Sequence, residues 1–263
     1  MVGISSAQSF AYVLEAERTK VDAVRGYLDA LFAQHGPRHA LTAELKKGVI
    51  VAALHDAGGG PRWLRAKIEG RHKPEPTEAA PPAAEAGLVR WDVLHVDVGS
   101  RAVATVMGMR PLEPPFSTYA PLAHEASLAL LRVPPLEKEY GDDAAEMLSA
   151  LTWGKPLLAT VHGSDAATRS DLVELVDAES NTNVGLELVH AGFARVSSLE
   201  AKRVRRRAGG AEEAYLRQLE ETQASAKKDR VGMWCYGDIG DSDTDEKPRR
   251  SGGAWAAAAG KRS

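Results

Sequence analysis

The sequence predicts an α+β fold, mainly β, in which a small β unit sits within a larger β unit that carries helices. Three observations predict it. Apolar spacing switches along the chain between strict alternation and a period of three to four. Residues 48–112 hold short β-rich runs bounded by Gly and Pro turns. A strand and a helix precede those runs and have no obvious partner inside so small a unit, so they are expected to pair with strands on its C-terminal side.

Residues 8–14, QSFAYVL, read as a short strand, and 16–33 as a helix with Val21, Val24, Leu28, Leu31 and Phe32 on one face. Gly36-Pro37 stops it. GVIVAALH (48–55) is a strand, Asp56–Pro61 a turn, and WLRAKIEG (63–70) alternates Trp63, Arg65 and Lys67 against Leu64, Ala66 and Ile68. Residues 71–88 hold four prolines and no apolar periodicity, so a disordered insertion in a hairpin is expected. VRWDVLHVDVG (89–99) and RAVATVMGMRPL (101–112) resume the sheet.

A second region opens with the strand HEASLALLRVPP (124–135), ended by two prolines, and the helix 142–154, led by acids that suit its N-terminus. Strands are expected at 156–163 and 171–180, and a helix over 183–196 with Gly192 as its stop. Residues 212–234 form the strongest helix, burying Tyr215, Leu216, Leu219, Gln223 and Ala226. The expected units are an N-terminal strand and helix (8–40), a small β unit (44–112), a larger unit (120–237) and a disordered tail (238–263).

With 263 residues, 44% of them hydrophobic, the chain has enough apolar material for a core. No apolar run approaches a membrane span, and the start lacks the basic-then-apolar pattern of a secretory signal. A single cysteine, Cys235, excludes an internal disulfide framework, so the reducing interior of the cell, cytoplasmic or also nuclear, is expected. The net charge of −3 argues against the whole molecule acting as an electrostatic nucleic-acid binder. Charge is nevertheless clustered: Lys202, Arg203, Arg205, Arg206 and Arg207 make a basic run, and five acids fall within 238–246.

Three stretches, in order, carry a family resemblance. WLRAKIEG, LHVDVGSR and MRPLEPPFS are similar to the strand motifs of Tudor domains. NVGLELVHAGFARV is similar to the N-x-x-L-V-x-x-G-x-A helix of staphylococcal-nuclease-like domains. LEETQASAKKDRVGMWCYGD is similar to that fold's closing E-A-x-A-K-x-x-x-x-G-x-W. The chain resembles, over roughly 8–241, the extended-Tudor region of the Tudor staphylococcal nuclease (Tudor-SN) family. The resemblance implies a Tudor barrel inserted into a nuclease-like OB-fold barrel, in a protein of RNA processing and RNA silencing.

It also implies two sites to inspect. Nuclease chemistry in the family needs carboxylates for Ca²⁺ and two arginines. The matching strand, LALLRVPPLEKE, offers Arg132, Val133, Pro134, Pro135 and Leu136 at the acidic positions, and the second arginine falls at Ser170, beside Arg169. No catalytic residue, metal ligand or cofactor is therefore expected in this stretch, and Ca²⁺-dependent cleavage would belong to other copies in a longer parent. Glu137, Glu139, Asp142, Asp143 and Glu146 read as helix-start residues, and Cys235 as packed. The Tudor positions that hold methylarginine in the family correspond to His55, Leu64, His95 and Val98, with Ser100 at the polar position; none of the four is Phe, Tyr or Trp. Trp91 is the nearest aromatic to serve as a wall. Asp97 with Arg101 is expected to form an ion pair supporting the loop. His35 and His39 have helical spacing across the Gly-Pro break and read as no metal site.

The implied partners are proteins with Arg/Gly-rich segments at the Tudor face. RNA is expected to bind weakly and without sequence preference on the 202–207 run, against the alternative of a solvated loop. A monomer is expected, with no membrane contact.

Overall fold

A computed structural model of the chain describes residues 3–4, 9–34, 45–56, 60–74, 88–165, 168, 170–207 and 209–237. The expected tail, most of the 71–88 insertion, the centre of the Asp56–Pro61 turn, Arg169 and the His35/His39 pair lie outside the described residues.

Strands β1 (Gly3–Ile4) and β2 (Ser9–Tyr12) precede helix α1 (Arg18–Gln34). Five short strands come next: β3 (Ile50–Asp56), β4 (Pro61–Arg71), β5 (Arg90–His95), β6 (Arg101–Thr105) and β7 (Met109–Pro111). They form one sheet in the order β6-β5-β4-β3-β7. Its two edge strands, β6 and β7, are joined by only Val106–Gly108. So short a link spans at most roughly 14 Å, which curls the sheet into a small barrel. Its core is Val51, Ala53, Ala66, Ile68, Val93, Ala104 and Met109. The β4–β5 hairpin runs further than the sequence predicts: Arg71 pairs with Trp91, and the His72 N–H donates to the Arg90 carbonyl at 2.9 Å.

The larger unit contains β8 (His124–Leu128), β9 (Leu131–Arg132), α2 (Gly141–Thr152), β10 (Leu157–Ser164), β11 (Asp171–Asp177), α3 (Val184–His190), β12 (Arg195–Val196), α4 (Ser198–Arg207) and α5 (Ala211–Asp229). One sheet has the order β1-β2-β8-β11-β10, and β9 pairs with β12 separately. β2 is antiparallel to β8 although the whole small barrel lies between them in sequence. The small barrel is thus an insertion.

The single strand expected over 124–135 is broken. Leu130 adopts φ 63°, its N–H donates to Glu200 at 2.7 Å, and its carbonyl accepts from the Ser197 N–H at 2.8 Å. The chain therefore leaves the first sheet and pairs Leu131–Arg132 with β12. α3 ends at His190 with Gly192 (φ 71°) just beyond it as the expected stop, and Gly192 packs so directly on the 231–232 backbone that a Cβ there would lie 2.3 Å from the Val231 carbonyl oxygen.

α1 sits on the small barrel, although its place in the sequence groups it with the larger unit. Val24 and Leu28 pack on Ala52, Trp63, Leu112 and Phe116. The two units meet closely: Gly99 lies so near β2 that a Cβ would be 2.0 Å from that of Ala11. Arg101 bridges Glu69 of β4 and Glu125 of β8, at 3.3 and 2.7 Å.

Candidate functional site

The register of the small barrel decides which predicted positions meet. Ala53 lies opposite Leu64, and Ala66 opposite His95. Side chains alternate along a strand, so His55, Leu64 and His95 share one face. His55 and His95 touch, with ring centroids 4.5 Å apart and planes at 49°. The His95 Nδ1 lies 2.9 Å from the Ser100 hydroxyl, while Nε2 is buried without a partner among the described residues. Burial, and then the neighbouring His55, lower the His95 pKa to about 4, against a smaller upward pull from the Ser100 backbone. His95 is therefore neutral near pH 7.

A flat cation held between two rings needs them about 7 Å apart, two contacts of roughly 3.5 Å. At 4.5 Å the two imidazoles fill that space themselves. Leu64 and Val98 instead border a crevice against Val21, Val24 and Leu28 of α1. Trp91 packs against the small-barrel core and does not join His55 and His95 as a wall.

The expected Asp97–Arg101 pair does not form. Asp97 accepts from Arg65 at 2.8 Å (Nε) and 2.6 Å (Nη2). Arg65 is wholly buried and also donates to the carbonyls of Phe116, Tyr119 and Ala120. The alternation of β4 puts Arg65 on its outer face, but α1 and the 116–120 segment cover that face. Arg65 thus staples the segment leaving the barrel to the barrel itself, while Arg101 is left to hold the two units together.

Ser170, at the position aligned with the second nuclease arginine, lies in a row of hydroxyls. Ser9, Ser127 and Ser170 form a chain with Oγ–Oγ separations of 3.5 Å, and Thr168 reaches Ser170 at 2.7 Å. Val133 is buried, and Glu137 and Glu139 are exposed on the turn before α2. Among the described residues no three His, Cys, Asp or Glu side chains converge to hold a metal. A hydroxyl row lacks the charged hard-oxygen donors Ca²⁺ requires, so these residues do not fit that ion.

The basic run is a helix, α4, where the sequence pattern suggests a loop. Ala201 and Val204 are its only buried residues, three apart, which anchors one face. Two small apolar residues among six charged ones are too weak a pattern to read as a helix. Arg205 pairs with Glu220 of α5. Lys202, Arg203, Arg206 and Arg207 are exposed and have no ion pair among the described residues. Arg203 and Arg207, four apart on one side, border a cleft of about 250 Å³ with Glu200, Glu212 and the His162–Ser164 end of β10. Cys235, expected to be packed, is exposed, 3.3 Å from the Tyr140 hydroxyl.

Comparison with known proteins agrees with this architecture. The model of the staphylococcal nuclease homologue family matches residues 125–236. Ribonuclease TUDOR 2 of Arabidopsis thaliana is 29% identical over 253 residues, covering 92% of this chain. The extended Tudor domain of Drosophila melanogaster Tudor-SN superposes with a TM-score of 0.69 at 21% identity, covering 89% of this chain and 96% of that one. The chain is similar to proteins of the Tudor-SN family over about nine-tenths of its length. By that likeness of fold the small barrel is called the Tudor unit, and the larger one, which the nuclease-homologue model matches, the nuclease-like unit. The Staphylococcal nuclease domain-containing protein 1 of Drosophila melanogaster is 24% identical over 87% of the chain. The chain spans only about a quarter of these relatives, 24% of TUDOR 2 and 22% of the Drosophila protein. The human TDRD1 extended Tudor domain, in complex with a symmetrically dimethylated peptide, shares the fold at a TM-score of 0.57 and 21% identity, covering 74% of this chain and 87% of that one. No helix among the described residues is long and apolar enough to cross a membrane.

Proposed function

We propose that this region is a non-catalytic binding module of an RNA-processing protein, which holds RNA on α4 and protein segments on its Tudor face. One observation carries the reading: Arg132 and Val133 stand at the aligned acidic positions and Ser170 at the second arginine, where phosphodiester cleavage needs acids and an arginine. Four exposed cations on α4 supply the affinity for RNA, weak and without sequence preference, through counterion release. The module works as a monomer, in the cytoplasm and also the nucleus, as part of RNA silencing. Ca²⁺-dependent cleavage, if the longer protein performs it, resides in other nuclease-like copies.

The second reading, protein binding, is favoured by the likeness to TDRD1 with its methylated peptide. With His55 and His95 in ring contact, the Tudor face takes Arg/Gly-rich segments without requiring methylation. Two measurements test the pair. Labelled single-stranded RNA incubated with the chain and Ca²⁺ stays intact; turnover that survives repurification overturns the non-catalytic reading. In an NMR titration, symmetrically dimethylated and unmethylated Arg/Gly peptides bind within about threefold of each other; a tenfold preference for the methylated one overturns the methylation-independent reading.

A further inference from the structure

We infer that the cleft between α4 and the end of β10 seats one phosphodiester group of a single-stranded nucleic acid, gripped by Arg203 and Arg207. The inference rests on the RNA reading above and goes further, since it separates two of the five basic residues from the rest. The basic run presents its charges in different directions. Arg205 is spent on Glu220. Of the four exposed cations without an ion pair among the described residues, Arg203 and Arg207 line this cleft, whereas Lys202 and Arg206 are not among its lining residues. A guanidinium offers planar, forked donors that match two phosphate oxygens, and two of them one helical turn apart can close on a single group.

The opposite wall fits the same ligand. It is the Gly163–Ser164 end of β10, where a side chain is absent at one residue and a hydroxyl donor is present at the next. A β-bulge lies between Val161 and Gly163, where the strand departs from regular pairing with β11. His162 does not offer a stacking face, because its ring lies against Tyr215 (5.6 Å, 8°) and pairs with Glu174 at 3.0 Å. Recognition therefore falls on the backbone and not on bases, which makes it indifferent to sequence. Two acids border the cleft as well. Glu200 accepts from the Leu130 N–H and is also attracted by Arg203 without forming a close ion pair, and Glu212 stands in the first turn of α5. Their charge keeps the affinity modest and steeply dependent on salt.

The test uses fluorescence anisotropy with the full chain and a labelled oligouridine, over a salt series. The double variant Arg203→Gln/Arg207→Gln is expected to weaken binding at least tenfold and to lower the salt slope by about 1.4, two contacts at roughly 0.7 each for a single strand. The matched double Lys202→Gln/Arg206→Gln removes the same charge outside the cleft and is expected to change affinity less than threefold. Glu212→Gln is expected to tighten binding two- to threefold. An oligodeoxythymidine arm separates the sources of the shared chemistry: equal affinity assigns the seat to the phosphodiester alone, and a tenfold preference for RNA adds a contact to the ribose hydroxyl. Equal losses in the two doubles overturn the placement and leave the RNA reading standing. No binding by the unaltered chain removes both.

Discussion

The Tudor unit and the nuclease-like unit are held together by different means. Among the described residues the main nuclease-like core contains twenty-one buried hydrophobic residues, including Leu131, Leu148, Leu188 and Leu219. The Tudor core has seven, three of them alanine. Each large aliphatic side chain contributes roughly 1.5–3 kcal/mol when buried, so the smaller barrel gains far less from its interior. It compensates from outside: α1 covers one face, and the buried Arg65 ties Asp97 and three carbonyls together. A small barrel short of apolar volume therefore leans more on a buried ion pair than the larger unit, whose buried polar groups, such as Thr152 and Asp177, accompany a far larger apolar core.

That contrast can be broken in three ways, from the largest effect down. Arg65→Ala leaves Asp97 charged and buried and orphans three carbonyls, so a loss of about 3–5 kcal/mol is expected in denaturant unfolding. A loss below about 1 kcal/mol would mean that the staple adds little and that α1 alone stabilises the barrel.

The second probe is pH. The His95 pKa falls from 6.5 to about 4 in the folded state, so the unfolded chain binds the extra proton between those values. Stability is full above about pH 6.5 and declines as pH falls toward 4, by roughly 2–3 kcal/mol. His95→Gln is expected to flatten that slope, whereas changes confined to the nuclease-like unit leave it in place. A slope identical in the variant would show that the buried His95 is not the source. The smallest effect is at α3, where the Asn183 side chain accepts from the Leu186 N–H at 3.1 Å and donates to Glu174 at 2.8 Å. Asn183→Ala is expected to cost about 1 kcal/mol, read as a shift in the urea midpoint.

Much of the fold was legible because its cues are local. The alternation of 63–70, the helical apolar spacing at 16–33 and the long stripe of Tyr215, Leu216 and Leu219 each emerge as the elements they suggest. Where the fold departs from its local cues, contacts distant in sequence are the cause. Leu130 breaks its strand because Glu200 and Ser197 bind its backbone. Arg65 sits on a face that alternation marks as outer, and residues 116–120 bury it. α4 is anchored by Ala201 and Val204 against a core that the run KRVRRR does not reveal. At the Tudor positions the residue types were readable, and their non-aromatic character with them. The ring contact that fills the pocket was not, because it depends on register across three strands.

Composition and motif order alone determined the family resemblance, the α+β class and the residue types at the aligned nuclease positions, since each depends only on which residues occur and in what succession. Tertiary structure alone decided which charges are spent and which are free. Asp97 pairs with Arg65 and not with Arg101, Arg205 pairs with Glu220, and Arg203 and Arg207 are left facing a cleft. The physical reason is that an ion pair is set by distance and burial in space, and neither can be read from spacing along the chain.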